Sequence, residues 1–394
     1  GRLTLEELKC ALALLADEEQ RGWVIKFASR EALRAAGYDS VWINGVFMAP
    51  KKSDGQPKLK ATVDLVEGVV RDGVHDPLMP SLRWIDHDSK ESSPGAGDSV
   101  NDFSPMSEDK LHSKLDGVPW ASKVAMALMS DDGRLRAEEL RAVEASTVDV
   151  QHAYRLIPLS RSARALHVFK FLDPDKPVPA YVLAGEQPRE EDMVFFVKQV
   201  LPFGWRLSVD FFVRISKALK ALHLWDEAPP LANRVPRGAD GGRQHDMSIY
   251  IDDAGLYALL GLGQLAQDRY LELLSFLRIP ASAEKLEAEG AVGQELHMLG
   301  VVFDFVEREL KLSPRRLEAL LRRCREMRDK SYCTREEYDS LVGVLSFCAS
   351  CVSGGAGRTF MRSLYNLQRG RRGKWVRLTR GAKVDLSWGL RFVE

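Results

Sequence analysis

The sequence predicts an α+β fold of small antiparallel sheets and helices, not a doubly wound parallel sheet. Helical apolar spacing and short alternating runs are interleaved along the chain. Two apolar runs, Met247–Ile251 and Gly255–Leu259, flank Asp252-Asp253 as a hairpin. The 394 residues are 45% apolar and 28% charged, ordinary values for two or three globular units. Such a composition excludes a largely disordered chain. No apolar run approaches the roughly 18 residues of a membrane span, so no membrane partner is expected. No basic region leads from Gly1 into an apolar one, so no signal peptide is expected.

The elements follow in order. Residues 3–37 have helical spacing, first through Leu5, Leu8, Leu12 and Leu15, then through Ile25, Phe27 and Leu33. Residues 44–50 read as extended, Lys51 to Gly55 as a turn, and 59–65 as a strand. Residues 88–108, rich in Ser, Asp, Pro and Gly, have the composition of a surface loop or disordered insert. A helix is predicted over 134–145, and a short strand from Val148 into Asp149. Pro- and acid-rich 173–192 is a connection, 207–222 a helix, and 226–246 a loop. Beyond the hairpin, 262–278 is helical and 296–305 strand-like. Helices are predicted over 313–329, 334–353 and 357–369.

Charge is balanced in total, with 56 basic and 56 acidic residues, but not in place. From Lys311 onward, 19 Lys and Arg stand against 8 Asp and Glu, a local net of +11. The run Arg369-Gly370-Arg371-Arg372-Gly373-Lys374-Trp375 suits a phosphate backbone. Arg315–Arg328 also fits a solvated helix face with its own counter-charges. The five cysteines are Cys10, Cys324, Cys333, Cys348 and Cys351. The closest pair, Cys348 and Cys351, falls inside an apolar helical stretch without the turn residues of a zinc site. They read as buried, reduced thiols of an intracellular protein.

Three segments carry the chemistry. Adjacent carboxylates in Tyr250-Ile251-Asp252-Asp253 repel one another unless a cation intervenes. Mg²⁺ takes hard oxygen ligands such as these. Asp149-Val150-Gln151-His152-Ala153-Tyr154 offers a third carboxylate from a strand end. A two-metal site with ions about 3.5–4 Å apart needs carboxylates from separate segments. Leu201-Pro202-Phe203-Gly204-Trp205 leads into a helix, with a glycine that permits close backbone approach to a ligand.

The order Asp-x-x-x-Ala-Tyr, Leu-Pro-Phe-Gly, Tyr-Ile-Asp-Asp, Glu284-Lys285, Leu299-Gly300 resembles the palm of a reverse transcriptase. Among such enzymes it is most similar to those of gypsy-like or DIRS-like retroelements. The resemblance extends to the fingers through Ala49 to Gly55 and Lys58 to Leu65. Downstream it runs through Leu341–Phe347, Gly357–Leu367 and Trp375–Phe392. It implies a right-hand polymerase. Residues 1–43 form an N-terminal helical segment and 44–145 the fingers, with the insert near 88–108. The palm is a small antiparallel sheet backed by helices over 146–305, and a basic helical thumb or connection spans 306–394.

The resemblance also implies the roles. Asp149, Asp252 and Asp253, with the Val150 carbonyl, hold two Mg²⁺ ions, for which Mn²⁺ can substitute. Lys285 is a proton donor to the leaving pyrophosphate. Lys60 grips the triphosphate. Tyr154 is the steric gate against a ribose 2′-hydroxyl, and Phe203 and Gly204 line the nucleotide pocket. The implied partners are a primed RNA or DNA template and deoxynucleoside triphosphates. Ribonuclease H and other polyprotein domains would lie outside this chain. Several positions depart from the pattern: Lys60 replaces an Arg, Val66 another, and Val209-Asp210 and Ala254-Gly255 are unusual. These departures leave two readings open, an active polymerase and a decayed copy that only binds nucleic acid. A third, an unrelated scaffold with surface carboxylates, requires Asp149 and Asp252 to lie far apart.

Overall fold

Helix α1 (Leu5–Gln20) buries Leu8, Ala11, Leu12 and Leu15 along one stripe, and Gly22, at φ +70°, turns the chain out of it. The computed structural model describes the chain apart from residues 1–4, 42, 45, 51–60, 65–68, 76–81, 87–116, 131–139, 204, 227–230, 352, 370–372 and 394. The 88–108 insert therefore lies outside the described residues.

Next come strand β1 (Val24–Phe27) and helix α2 (Arg30–Ala35), whose first turn is capped by Ser29 Oγ accepting from the Ala32 N–H. Ile25 and Phe27 are thus in a strand, not the helix their spacing suggests. The β-branched Val24 and Ile25 pair with Lys198 and Val197 on a neighbouring strand. Strands β2 (Ile43–Asn44), β3 (Val46–Pro50) and β4 (Ala61–Asp64) agree with the extended readings there, and β5 (Val69–His75) and β6 (Leu82–Asp86) pair antiparallel with β4 and β3 respectively. Helix α3 (Val118–Met129) and strand β7 (Val143–Asp149) follow. The helix predicted to reach residue 145 is corrected by β7, where Val143, Ala145 and Val148 are buried in a sheet. Helix α4 (Arg161–Arg164), β8 (Val168–Leu172), α5 (Ala180–Leu183), β9 (Met193–Lys198) and α6 (Arg206–Leu224) come next. Strands β8 and β9 are buried on both faces and so lack the alternation that reveals a half-exposed strand.

The hairpin strands are β10 (His245–Tyr250) and β11 (Asp253–Leu259), followed by α7 (Gly263–Phe276) and α8 (Ala283–Glu289). Residues 296–305 are two strands rather than one, β12 (Glu295–Met298) and β13 (Val301–Asp304). Their two-residue loop has Leu299 at φ 53° and Gly300 at φ +79°, as a type I′ turn demands. Then come β14 (Glu309–Leu312), α9 (Pro314–Asp329), β15 (Tyr332–Thr334), α10 (Arg335–Cys351), a 3₁₀ segment over Ser353–Met361, α11 (Arg362–Arg369), β16 (Trp375–Arg377) and α12 (Arg380–Val393).

Two compact units interleave along the chain: Gly1–Ser113 with His152–Ile215, and Lys114–Gln151 with Ser216–Glu394. In the first, α1 packs its apolar stripe against Phe169, Phe171 and Phe196 of the sheet β1-β9-β8-β2. Glu18 at the end of α1 is buried between two cations, Arg155 and Lys198, with Lys198 Nζ 2.7 Å from its Oε2.

In the second unit, the antiparallel sheet β10-β11-β7 has an apolar core with α3 and the β12-β13-β14 sheet. The predicted loop 226–246 is fastened to α7 by two polar side chains. Arg269 donates to the carbonyls of His223 and Trp225 at the end of α6 and of Asn233 in the loop, at 2.8–3.0 Å. Glu272 accepts from the N–H groups of Ala232 and Asn233. A separate core joins α9, α10, α11 and α12, with Leu364, Ala382 and Leu386 fully buried. Cys324, Cys333 and Cys348 are buried thiols of this core, and Cys10 is one of the first unit.

Candidate metal centre and active site

Strand register places two of the carboxylates. Tyr250 pairs with Asp253, so Ile251 and Asp252 form a two-residue turn. The sequence placed both aspartates in that turn, but Asp253 is already in β11, directly opposite Asp149 at the end of β7. Residues so paired project to the same face of a sheet. Asp252 reaches the same place from the tip. Asp149, Asp252 and Asp253 each offer a carboxylate oxygen, all within 4.8 Å of one another. The scaffold reading, which needs these groups far apart, loses its support.

Backbone bonds hold the cluster. The Val150 N–H donates to the Asp252 carbonyl at 3.2 Å, joining the exit of β7 to the hairpin tip. On its other edge, the Gln151 N–H donates to Pro280 O and the Ser282 N–H to Asp149 O, both at 2.8 Å. The tip is strained, because Ile251 is β-branched and has φ 58°. Ser216 of α6 donates its hydroxyl to the Ile251 carbonyl and pins that conformation. Gly255, an unusual residue beside the aspartates, has a packing reason. A Cβ there would lie 2.9 Å from Met298 Sδ and Tyr257 Oη, and 3.0 Å from Ser248 Oγ.

Lys285 completes the group. Ser282 Oγ accepts from the Lys285 N–H at the start of α8. The Lys285 ammonium donates to Asp149 Oδ1 at 2.6 Å and to Asp253 Oδ1 at 3.3 Å. Asp149 is more enclosed than its partners here, its side chain 12% exposed, against 39% for Asp253 and 45% for Lys285. Burial, then the hydrogen bond shared with Asp253 and the nearby Asp252 charge, push the Asp149 carboxyl up to about 7 despite Lys285. Burial pulls the Lys285 ammonium down, but Asp253 and Asp149 outweigh it and raise it overall.

The donor set fits a divalent cation. Three carboxylates from two strands and a turn converge, all hard oxygen ligands of the kind Mg²⁺ or Mn²⁺ takes. Among the described residues this is the only such cluster of His, Cys, Asp and Glu.

The predicted nucleotide-pocket residues belong to the first unit. Tyr154 lies edge-on to Phe203, ring centres 5.2 Å apart, and to Phe212 at 5.9 Å. Arg155 stacks its guanidinium 5.3 Å from the Phe203 ring centre while bound to Glu18. Ser208 of α6 donates to the Pro202 carbonyl at 2.7 Å and fixes the turn before Phe203. Lys60 and Gly204 lie outside the described residues. Sequence reasoning missed the clamp formed by Pro280, Ala281 and Ser282. Its one local signal is a Pro two residues before a Ser cap.

No protein-family model matches the sequence, and no curated protein does. Solved structures do. One is described as the foamy viral protease-reverse transcriptase dRH in complex with dsDNA, with TM-score 0.58 and 13% identity over 100% of this chain and 49% of that one. Another, the foamy viral protease-reverse transcriptase in complex with dsDNA, has TM-score 0.53 and 14% identity over 100% of this chain and 58% of that one. This chain thus spans about half the length of those proteins. Identity this low speaks to architecture alone, and the architecture is a reverse-transcriptase-like fold.

Proposed function

We propose that this chain is the polymerase part of a retroelement reverse transcriptase, and that it synthesises DNA on a primed RNA or DNA template. The observation that carries the reading is the convergence of Asp149, Asp252 and Asp253 within 4.8 Å on a strand end, a hairpin tip and a facing strand. The reverse-transcriptase-like fold supports it.

Asp149, Asp252 and Asp253, with the Val150 carbonyl, would hold two Mg²⁺ ions. Such ions lower the pKa of an attacking 3′-hydroxyl and neutralise charge on the triphosphate. The chain's own groups do the rest. The backbone bonds at the end of β7 and at the hairpin tip fix where the carboxylates start. Tyr154, braced by Phe203 and Phe212, presents a flat ring suited to excluding a ribose 2′-hydroxyl. Gly204 and Lys60 would serve the base and the triphosphate. Lys285 carries a proton within reach of the same carboxylates. The net +11 from Lys311 onward suits a phosphate backbone.

The test is primer extension on poly(rA)/oligo(dT) with dTTP and Mg²⁺ or Mn²⁺, run beside an Asp252→Asn, Asp253→Asn double variant. Extension by the wild type alone is expected. No extension, with salt-sensitive template binding intact, would favour the decayed nucleic-acid-binding copy or a piece that needs a further domain. Equal extension by the double variant would overturn the carboxylate assignment.

A further inference from the structure

Lys285 stands where a cation is needed most. Asp149 and Asp253 face each other directly across two strands, and like charges so placed repel. The ammonium bridges them, 2.6 Å from one oxygen and 3.3 Å from the other. Both oxygens belong to the carboxylates whose atoms converge within 4.8 Å as a ligand set. An ammonium held on these carboxylates and a divalent ion drawn to the same carboxylates carry like charges a few ångströms apart and repel.

The surroundings make the contact reversible. The backbone at the start of α8 is tied down by the Ser282 N–H on Asp149 O and the Ser282 cap. The Lys285 side chain is 45% exposed, so its stem has open solvent to move into. The root is fixed, and the half-exposed stem leaves the head a way out toward solvent.

We infer that Lys285 is a tethered counter-cation that holds Asp149 and Asp253 together without metal and must leave before a divalent ion binds. The inference rests on the metal-site reading above. It gives Lys285 a regulatory role in ion entry, separate from any proton transfer. The tethered charge sets a threshold, since an incoming ion must displace it as well as bind.

The experiment measures Mn²⁺ affinity by isothermal titration calorimetry on the full chain. Wild type is compared with Lys285→Met, Lys285→Gln and Lys285→Arg, without template or nucleotide. Removing the charge is expected to tighten Mn²⁺ binding about tenfold in both neutral variants, while Lys285→Arg stays near wild type. Metal-free melting temperature should fall in the neutral variants and recover more on adding Mn²⁺ than it does in wild type. A wild-type crystal grown with Mn²⁺ gives a check that needs no variant, with Lys285 Nζ expected beyond hydrogen-bond reach of Asp149 Oδ1. Neutral variants binding Mn²⁺ no tighter than wild type, or Nζ still on Asp149 beside a bound ion, would overturn the inference and leave the metal site standing. Mn²⁺ binding to the neutral variants but not to wild type would support it. Binding to none of the four proteins would overturn both the metal site and the inference.

Discussion

Asp149 and Asp253 are cross-strand partners, paired residue to residue where β7 ends and β11 begins. A bland sheet avoids two carboxylates in that relation, because they repel when charged. Replacing Asp253 with Asn removes the repulsion while keeping the shape. Metal-free stability is expected to hold or rise by up to about 1 kcal/mol. Mn²⁺ affinity and primer extension are expected to fall by a factor of 100 or more. Thermal melts and extension assays on the same preparation check both.

The Asp149 carboxyl, raised to about 7, gives metal binding a pH dependence. Below that value a proton occupies the ligand, and an incoming cation must expel it. Mn²⁺ affinity is expected to rise by up to tenfold per pH unit between about pH 5 and 7, then level off. Calorimetry in buffers of different ionisation enthalpy would count the released proton. A flat profile across that range contradicts the raised carboxyl.

Two buried histidines give the second unit an acid weakness. Burial holds His223 well below its ordinary value and takes His245 down to about 4, with Arg269 adding to both. A depressed folded-state value means that the unfolded chain binds the proton more readily. Stability is therefore full above about 6.5, the unfolded value, and is lost as pH falls toward 4. Urea melts between pH 7 and 4.5 should show this loss, and His245→Phe should reduce it.

Gly255 has no room for a methyl group beside Met298, Tyr257 and Ser248. Gly255→Ala is expected to cost about 1–3 kcal/mol, as overpacking does in a close-packed core. The position is two residues beyond Asp253 on β11, so Mn²⁺ affinity should weaken as well. Denaturant melts and metal titration on that variant separate the two effects.

Glu18 answers two buried cations, Arg155 and the fully enclosed Lys198. Removing its charge takes away the carboxylate to which both cations are bonded. Glu18→Gln is expected to destabilise the first unit by about 3–5 kcal/mol. Limited proteolysis, followed by mass spectrometry, should show α1 opening first.

The cluster was legible in the sequence through the order of its segments, and Lys285 only through the resemblance that this order carries. Asp149, the Tyr250–Asp253 tetrapeptide and Lys285 were each singled out, and the fold brings all of them together. Helices α6, α7, α9 and α10 were legible because one apolar stripe at helical spacing is written along each. Strands β8 and β9 were not, because burial on both faces erases alternation. The helix expected over 134–145 failed where β7 takes Val143 to Ala145 into the sheet, a choice made by partners distant in sequence. Glu18, Arg155 and Lys198 gave no signal either, as nothing local says that charges so far apart in sequence will be buried together.

The amino-acid order by itself determined the α+β class and the hairpin with its aspartates, because these depend on neighbours within a few residues, and the order of the motifs carried the candidate chemistry. Tertiary structure alone decided that the turn is Ile251-Asp252, which moves Asp253 into β11 opposite Asp149. It also decided that Lys285 closes the pair. Strand register has a period of two, so a shift of one residue sends a side chain to the other face. Only the packing of β11 between β10 and β7 selects the register, and with it which carboxylates meet.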